Sequence, residues 1–122
     1  MATITPPLFL TLLFFFIFSG SVILEPANGQ APAQQTWCVA KPSASDVELY
    51  NNMYYACGYV NCDVIHPQGA CYEPQVLINQ ASVVMNSYYQ KQGRNYWNCD
   101  FNKSALITII DPSYGNCKFD SQ

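Results

Sequence analysis

The sequence predicts a small α+β domain: two helices packed on a short antiparallel sheet, stapled by disulfides. Three observations carry this. Six cysteines fall between Cys38 and Cys117, and none lies outside that span. Two segments of the span repeat their apolar residues at helical spacing. After Gly93 the period changes to the alternation of a half-buried strand.

An apolar leader precedes the cysteines. Residues 8–18 read LFLTLLFFFIF, with Thr11 the one polar side chain, which fits the h-region of a signal peptide. Ala27-Asn28-Gly29 supplies small residues for a peptidase, so cleavage is expected after Gly29, giving a signal peptide over 1–29. The start, MATITPP, carries no Lys or Arg. The rival reading is an anchor from Leu8 to Leu24, at the bottom of the spanning range and interrupted by Ser19-Gly20-Ser21. No apolar stretch follows Phe119, so a glycolipid anchor is not expected. The expected product is exported, free of the membrane, and placed where paired cysteines persist. Spacing alone does not select the pairing.

About 93 residues remain after cleavage, one small domain whose core needs covalent help. Removing Glu25 with the leader leaves five basic and seven acidic residues. That balance excludes a nucleic-acid face, which must be basic, and offers no polybasic patch to a membrane. The aromatic load is high: nine Tyr, seven Phe and two Trp, with five of the Phe in the leader. A charge-poor, Tyr-rich surface suits a neutral, polyhydroxylated ligand.

Gln30 to Thr36 is a short uncharged lead-in, expected to be disordered. The domain is expected over 37–119, with 120–122 as a tail. Ser45 and Glu48 form an S-x-x-E capping box, and Leu49, Met53, Ala56 and Cys57 recur at helical spacing before Gly58, so a helix is expected over 45–57. Residues 59–72 read as loop, with Pro67 and Gly69 as breakers. Pro74 opens the second helix, with Leu77, Ala81, Val84, Met85 and Tyr88 as its apolar stripe and Gly93 as its end. Trp97 to Phe101 alternates large and polar residues, as a strand does. Asn102 to Ser104 is a polar turn, and Leu106 to Ile110 a β-branched second strand. Asp111 to Gly115 is a turn cluster, and Cys117 to Phe119 a short last strand.

Several blocks occur in order: Trp37-Cys38-Val39-Ala40-Lys41, Tyr55-Ala56-Cys57-Gly58, Cys71-Tyr72-x-Pro74, Met85-Asn86-Ser87-Tyr88-Tyr89-Gln90 and Gly93-Arg94-Asn95. Trp97-x-Cys99-Asp100-Phe101 and Asp111-Pro112-Ser113-Tyr114-Gly115-x-Cys117 complete the series. This pattern closely resembles the plant X-8 domain, the family 43 carbohydrate-binding module. The resemblance covers Trp37 to Phe119. It implies a β-1,3-glucan ligand of callose or laminarin type, no cofactor, a place in the cell wall, and a β-1,3-glucanase acting in trans as a further partner. It also implies the pairs Cys38–Cys99, Cys57–Cys62 and Cys71–Cys117. Such domains occur behind glucanase barrels, in anchored callose-binding proteins, and as lone secreted modules, some of them pollen allergens. The chain resembles the lone form. It departs at Tyr54, where relatives usually carry Asp, at Glu73 for Asn, and at Ile109-Ile110 for a Thr pair.

A β-glucan has no charge to grip, so its surface must offer flat rings for sugar C–H groups and directional hydrogen bonds for hydroxyls. Each ring contact contributes roughly 1 kcal/mol if it covers about 50 Å². The candidates are Tyr89, Tyr96, Trp97 and, near the end of the first helix, Tyr54 and Tyr59, with Asn95 and Asp100 as polar partners. Tyr88, Tyr55, Trp37 and Phe101 are expected in the core. The glucan is expected across Tyr89, Tyr96 and Asp100. Hydrolysis takes two carboxylates in a cleft. Glu48 and Asp46 read instead as helix N-terminal charges and Asp111 as a turn residue. His66 reads as a loop residue, and cysteines in this compartment pair with each other rather than with zinc. Asn102-Lys103-Ser104 is the N-x-S/T sequon, making Asn102 the candidate glycosylation site. The alternative function is a secreted disulfide-rich protein that acts on a protein partner as inhibitor or signal.

Overall fold

The computed structural model describes residues 34–122. The signal peptide expected over 1–29 and residues 30–33 of the lead-in lie outside them. The chain forms β1 (Trp37–Ala40), α1 (Asp46–Cys57), a 3₁₀ turn at Asp63–Ile65, α2 (Leu77–Lys91), two further 3₁₀ turns at Tyr96–Cys99 and Phe101–Lys103, and β2 (Ala105–Thr108). β1 and β2 pair antiparallel, Trp37 opposite Thr108 and Ala40 opposite Ala105. Two α-helices on a two-stranded sheet make the α+β class expected.

The capping box starts α1. Ser45 Oγ accepts from the Glu48 amide, and the Glu48 carboxylate accepts from the Ser45 amide. Both orphan donors of the first turn are thereby satisfied. α2 is the centre of the domain, packed on α1 and on β1. Its residues Ala81 to Asn86 are all buried. Val83 and Val84 join Trp37, Ala56, Ile65 and Phe119 in one apolar cluster. Ala81, Met85 and Tyr89 join Ala40, Leu49 and Ala105 in the other. Side chains as fully buried as Val84 and Met85 are worth about 1.5–3 kcal/mol each.

α2 also completes the sheet. One edge of β1 bonds to β2; the other faces three polar side chains of α2. Ser82 Oγ accepts from the Ala40 amide at 2.9 Å, Asn86 Oδ1 accepts from the Cys38 amide at 3.0 Å, and Gln90 Nε2 donates to the Thr36 carbonyl at 2.8 Å. The spacing works because four helical residues advance about 6 Å and two strand residues about 6.6 Å. Side chains thus do the work of a third strand. Thr36, counted with the lead-in, is also held by its hydroxyl, 2.8 Å from the Tyr89 hydroxyl.

The three disulfides are those the resemblance implies. Cys38–Cys99 ties β1 to the turns that follow α2, Cys57–Cys62 pins the end of α1, and Cys71–Cys117 ties the approach to α2 to the C-terminal turn.

One strand goes unsignalled and three local expectations are corrected. Trp37–Ala40 is a strand that no local pattern signals, its partner β2 lying far along the chain. α2 starts at Leu77, not Pro74: the Val76 amide donates to the Pro74 carbonyl at 2.8 Å, closing a turn there first. Residues 97–101 are not a strand. Both edges of β1 are taken, and the Asn98 amide bonds the Asn95 carbonyl at 2.8 Å, winding the segment into a 3₁₀ turn. Cys117–Phe119 makes only an isolated bridge, Tyr114 with Cys117, around Gly115 at φ +53°.

Candidate functional site

An open groove of about 350 Å³ runs between α1, α2 and the turns after α2. The C-terminal half of α1 supplies Asn51, Asn52 and Tyr55, α2 supplies Tyr88, and the turns supply Trp97, Asn98, Asp100, Phe101 and Asn102. On α1, positions 51, 54, 55 and 58 share one face by their spacing. That face continues into a shallower hollow of about 610 Å³ lined by Asn51, Tyr54, Tyr55, Gly58 and Tyr59. Asn51 and Tyr55 line both, so groove and hollow are one surface.

Its middle is an aromatic cluster. Tyr55 has ring centroids 5.2 Å from Tyr59, 5.4 Å from Tyr88 and 6.4 Å from Phe101. Tyr88 lies 5.4 Å from Tyr59 and 5.9 Å from Phe101. The pairs with Tyr88 and Phe101 are edge-to-face, the arrangement ring quadrupoles favour. The Tyr55 and Tyr88 hydroxyls are 3.4 Å apart. That hydrogen bond to Tyr88 raises the Tyr55 phenol above its ordinary range, and hydrogen bonding to Tyr55 does the same for Tyr59. These phenols are neutral at physiological pH and can both donate and accept. Asp100 is the one ionisable carboxylate among the groove's lining residues. Asn52, buried beneath, donates to the Ser104 hydroxyl at 2.8 Å and fixes the turn that carries Phe101 and Asn102. That turn holds three consecutive non-glycine residues at positive φ: Phe101 at 44°, Asn102 at 53° and Lys103 at 66°. A phenylalanine there is unusual, and strain of this kind gathers at working surfaces.

The structure joins the two aromatic groups that the sequence separates. Trp97 and Asp100 line the groove, and Tyr54 and Tyr59 line the hollow. Tyr96, 76% exposed, stands edge-on to Trp97 at 5.2 Å, outside the lining. Asn95 donates from its amide to the Gln92 carbonyl at 3.2 Å and starts the turn instead of lining the groove. Tyr89 is a correction. It is 2% exposed, packed beside Met85 and Leu49, and offers no ring face to a ligand. Tyr55 is a correction of the opposite kind: expected in the core, it is 49% exposed and central to the groove. Trp37 is buried as expected. Asn51, Asn52 and Asn98 are additions; the helical spacing of Asn51 with Tyr54 and Tyr55 is the signal that could have found the first of them. His66 is exposed and 3.6 Å from Asp63.

Against known proteins, the model of the X8 domain matches residues 36–106. The chain belongs to the X8 domain family. That is the family the cysteine frame resembles. The X8 chain is 51% identical over 90 residues to a glucan endo-1,3-beta-D-glucosidase of Olea europaea, covering 73% of this chain and 20% of that one. It is 44% identical over 103 residues to the major pollen allergen Ole e 10 of Olea europaea, covering 83% and 80%. It is 38% identical over 87 residues to plasmodesmata callose-binding protein 2 of Arabidopsis thaliana, covering 70% and 45%. The match therefore spans about a fifth of the glucosidase, but most of the pollen allergen.

Proposed function

We propose that this X8 domain is a secreted, non-catalytic binding module for β-1,3-glucan of callose or laminarin type, acting in the cell wall. The observation that carries the reading is the aromatic groove, in which Asp100 is the one carboxylate: Tyr55, Tyr88, Trp97 and Phe101 line it together with the amides of Asn51, Asn98 and Asn102. Rings cover the apolar faces of pyranoses, while amides and phenols meet hydroxyls in both hydrogen-bonding senses. An uncharged sugar polymer is the ligand class such a surface fits. A callose-binding protein among the relatives supports the same class. The placement of the carboxylates supports a non-catalytic role. Cleaving a glycosidic bond takes two in a cleft. Here Glu48 caps α1, Asp111 accepts from the Ser113 amide at 2.9 Å, and Glu73 accepts from Gln75. Asp100 alone faces the groove. A β-1,3-glucanase working on the same polymer is the partner in trans that this reading suggests.

The test is retention on insoluble β-1,3-glucan with cellulose as control. Retention on the first, competed by soluble laminarin and without reducing-sugar release, is the expected result. A correctly oxidised sample that passes both columns refutes the reading.

A further inference from the structure

We propose that Asn102 carries an N-linked glycan whose occupancy controls access to the groove. This rests on the export and glucan-binding reading above. Asn102 opens the sequon Asn102-Lys103-Ser104, whose middle residue is not proline. It is exposed, stands in the strained left-handed turn, and lines the groove beside Phe101 and Asp100. Its carboxamide makes no hydrogen bond among the described residues, so a substituent there breaks no internal contact. Asparagine is the residue that best tolerates φ near 53° after glycine, so the turn accepts the acceptor residue without further strain.

Ser104 sets the timing. In the folded domain it is 3% exposed, with its hydroxyl bonded to the Asn52 amide and the Phe101 carbonyl. The sequon hydroxyl is therefore presented only before the domain closes, and the modification belongs to the nascent chain. In the transfer, the Asn102 amide nitrogen forms a bond to C1 of the first N-acetylglucosamine of a lipid-linked oligosaccharide. The C1–O bond to the lipid pyrophosphate breaks, the pyrophosphate leaves with the bonding pair, and the amide gives up one proton. Once attached, the glycan rises from the rim of the groove. It is itself a polyhydroxylated chain tethered next to Trp97 and Phe101, so it occludes the end of the groove where the turns meet α2. The consequence is two forms of one protein: an open, unmodified module and a hooded one.

The protein is secreted from a eukaryotic host, and its intact mass and Asn102 peptide are measured. The same sample is then assayed for laminarin affinity before and after endoglycosidase trimming to a single sugar. The expected result is an added oligosaccharide mass on Asn102, absent in Asn102→Gln and in Asn102→Gly, which keeps the left-handed backbone accessible. Trimming is expected to tighten laminarin binding about tenfold, the worth of one or two restored ring contacts. A bare Asn102 in secreted protein overturns the proposal. A glycan whose trimming leaves affinity unchanged overturns the occlusion. If neither form binds laminarin while the mass on Asn102 is present, the glucan reading fails and the occlusion with it, but the modification site stands.

Discussion

Trp97 is the residue whose removal isolates the ligand surface from the core. It lines the groove, is 62% exposed, and belongs to neither buried cluster. Truncation therefore removes a binding face without opening a cavity. A tryptophan presents up to about 250 Å², so at 62% exposure roughly 150 Å² of Trp97 faces solvent. A pyranose laid on one side of the indole covers about half of that, ~75 Å². At ~25 cal/mol/Å² the contact is worth about 1.9 kcal/mol, or about 25-fold in affinity. Trp97→Ala should weaken laminarin binding by that order in calorimetry or affinity electrophoresis. Its melting temperature should stay within a few degrees of the parent, since the main packing lost is the edge-on contact with Tyr96. A folded Trp97→Ala protein with parental affinity would refute the placement of the ligand. A large fall in melting temperature would refute the claim that this ring stands outside the core.

Other outcomes follow from the same geometry. Tyr89→Phe removes the hydroxyl bonded to Thr36 and should cost about 1 kcal/mol in denaturant unfolding, with laminarin affinity unchanged. Asn86→Ala strands the Cys38 amide and the Asp120 carbonyl, and should cost about 3 kcal/mol; a loss under about 1 kcal/mol would show that the edge of β1 is not held as described. Because the Tyr55 and Tyr59 phenols are raised, the fold favours their protonated forms. That contribution is complete below the ordinary phenol range near pH ~10 and is lost as pH rises through the folded values. Laminarin affinity should therefore be level from about pH 6 to about 10 and fall as pH rises beyond that. A decline at neutral pH would show that some other group controls the site.

What could be read from the sequence is what was encoded locally. The Ser45–Glu48 box fixed the start of α1, and the apolar stripe marked α2, because both signals lie within a few residues of each other. β1 was not legible, since its four residues mean nothing without Ala105–Thr108 far downstream. The Tyr89 assignment failed for a related reason. A stripe argument assumes one buried helix face, whereas α2 is covered on two: α1 takes the side of Val84 and Tyr88, and β1 takes the side of Met85 and Tyr89. Tyr88 is therefore half-buried against the first cluster, while Tyr89, off the stripe, is the fully buried neighbour. The disulfide pairing came from resemblance alone, because nothing in the spacing distinguishes the alternatives. Asn86 and Gln90 formed part of that resemblance with no chemical role attached; their role is to bond a strand edge.

That edge has a consequence for crowding. A sheet recruits further chains only through backbone groups left unmatched. On β1 those groups are already satisfied by Ser82, Asn86 and Gln90. Among the described residues, only β2 presents a side without a neighbouring strand. Through this two-stranded sheet, strand addition can therefore form a pair but cannot extend it.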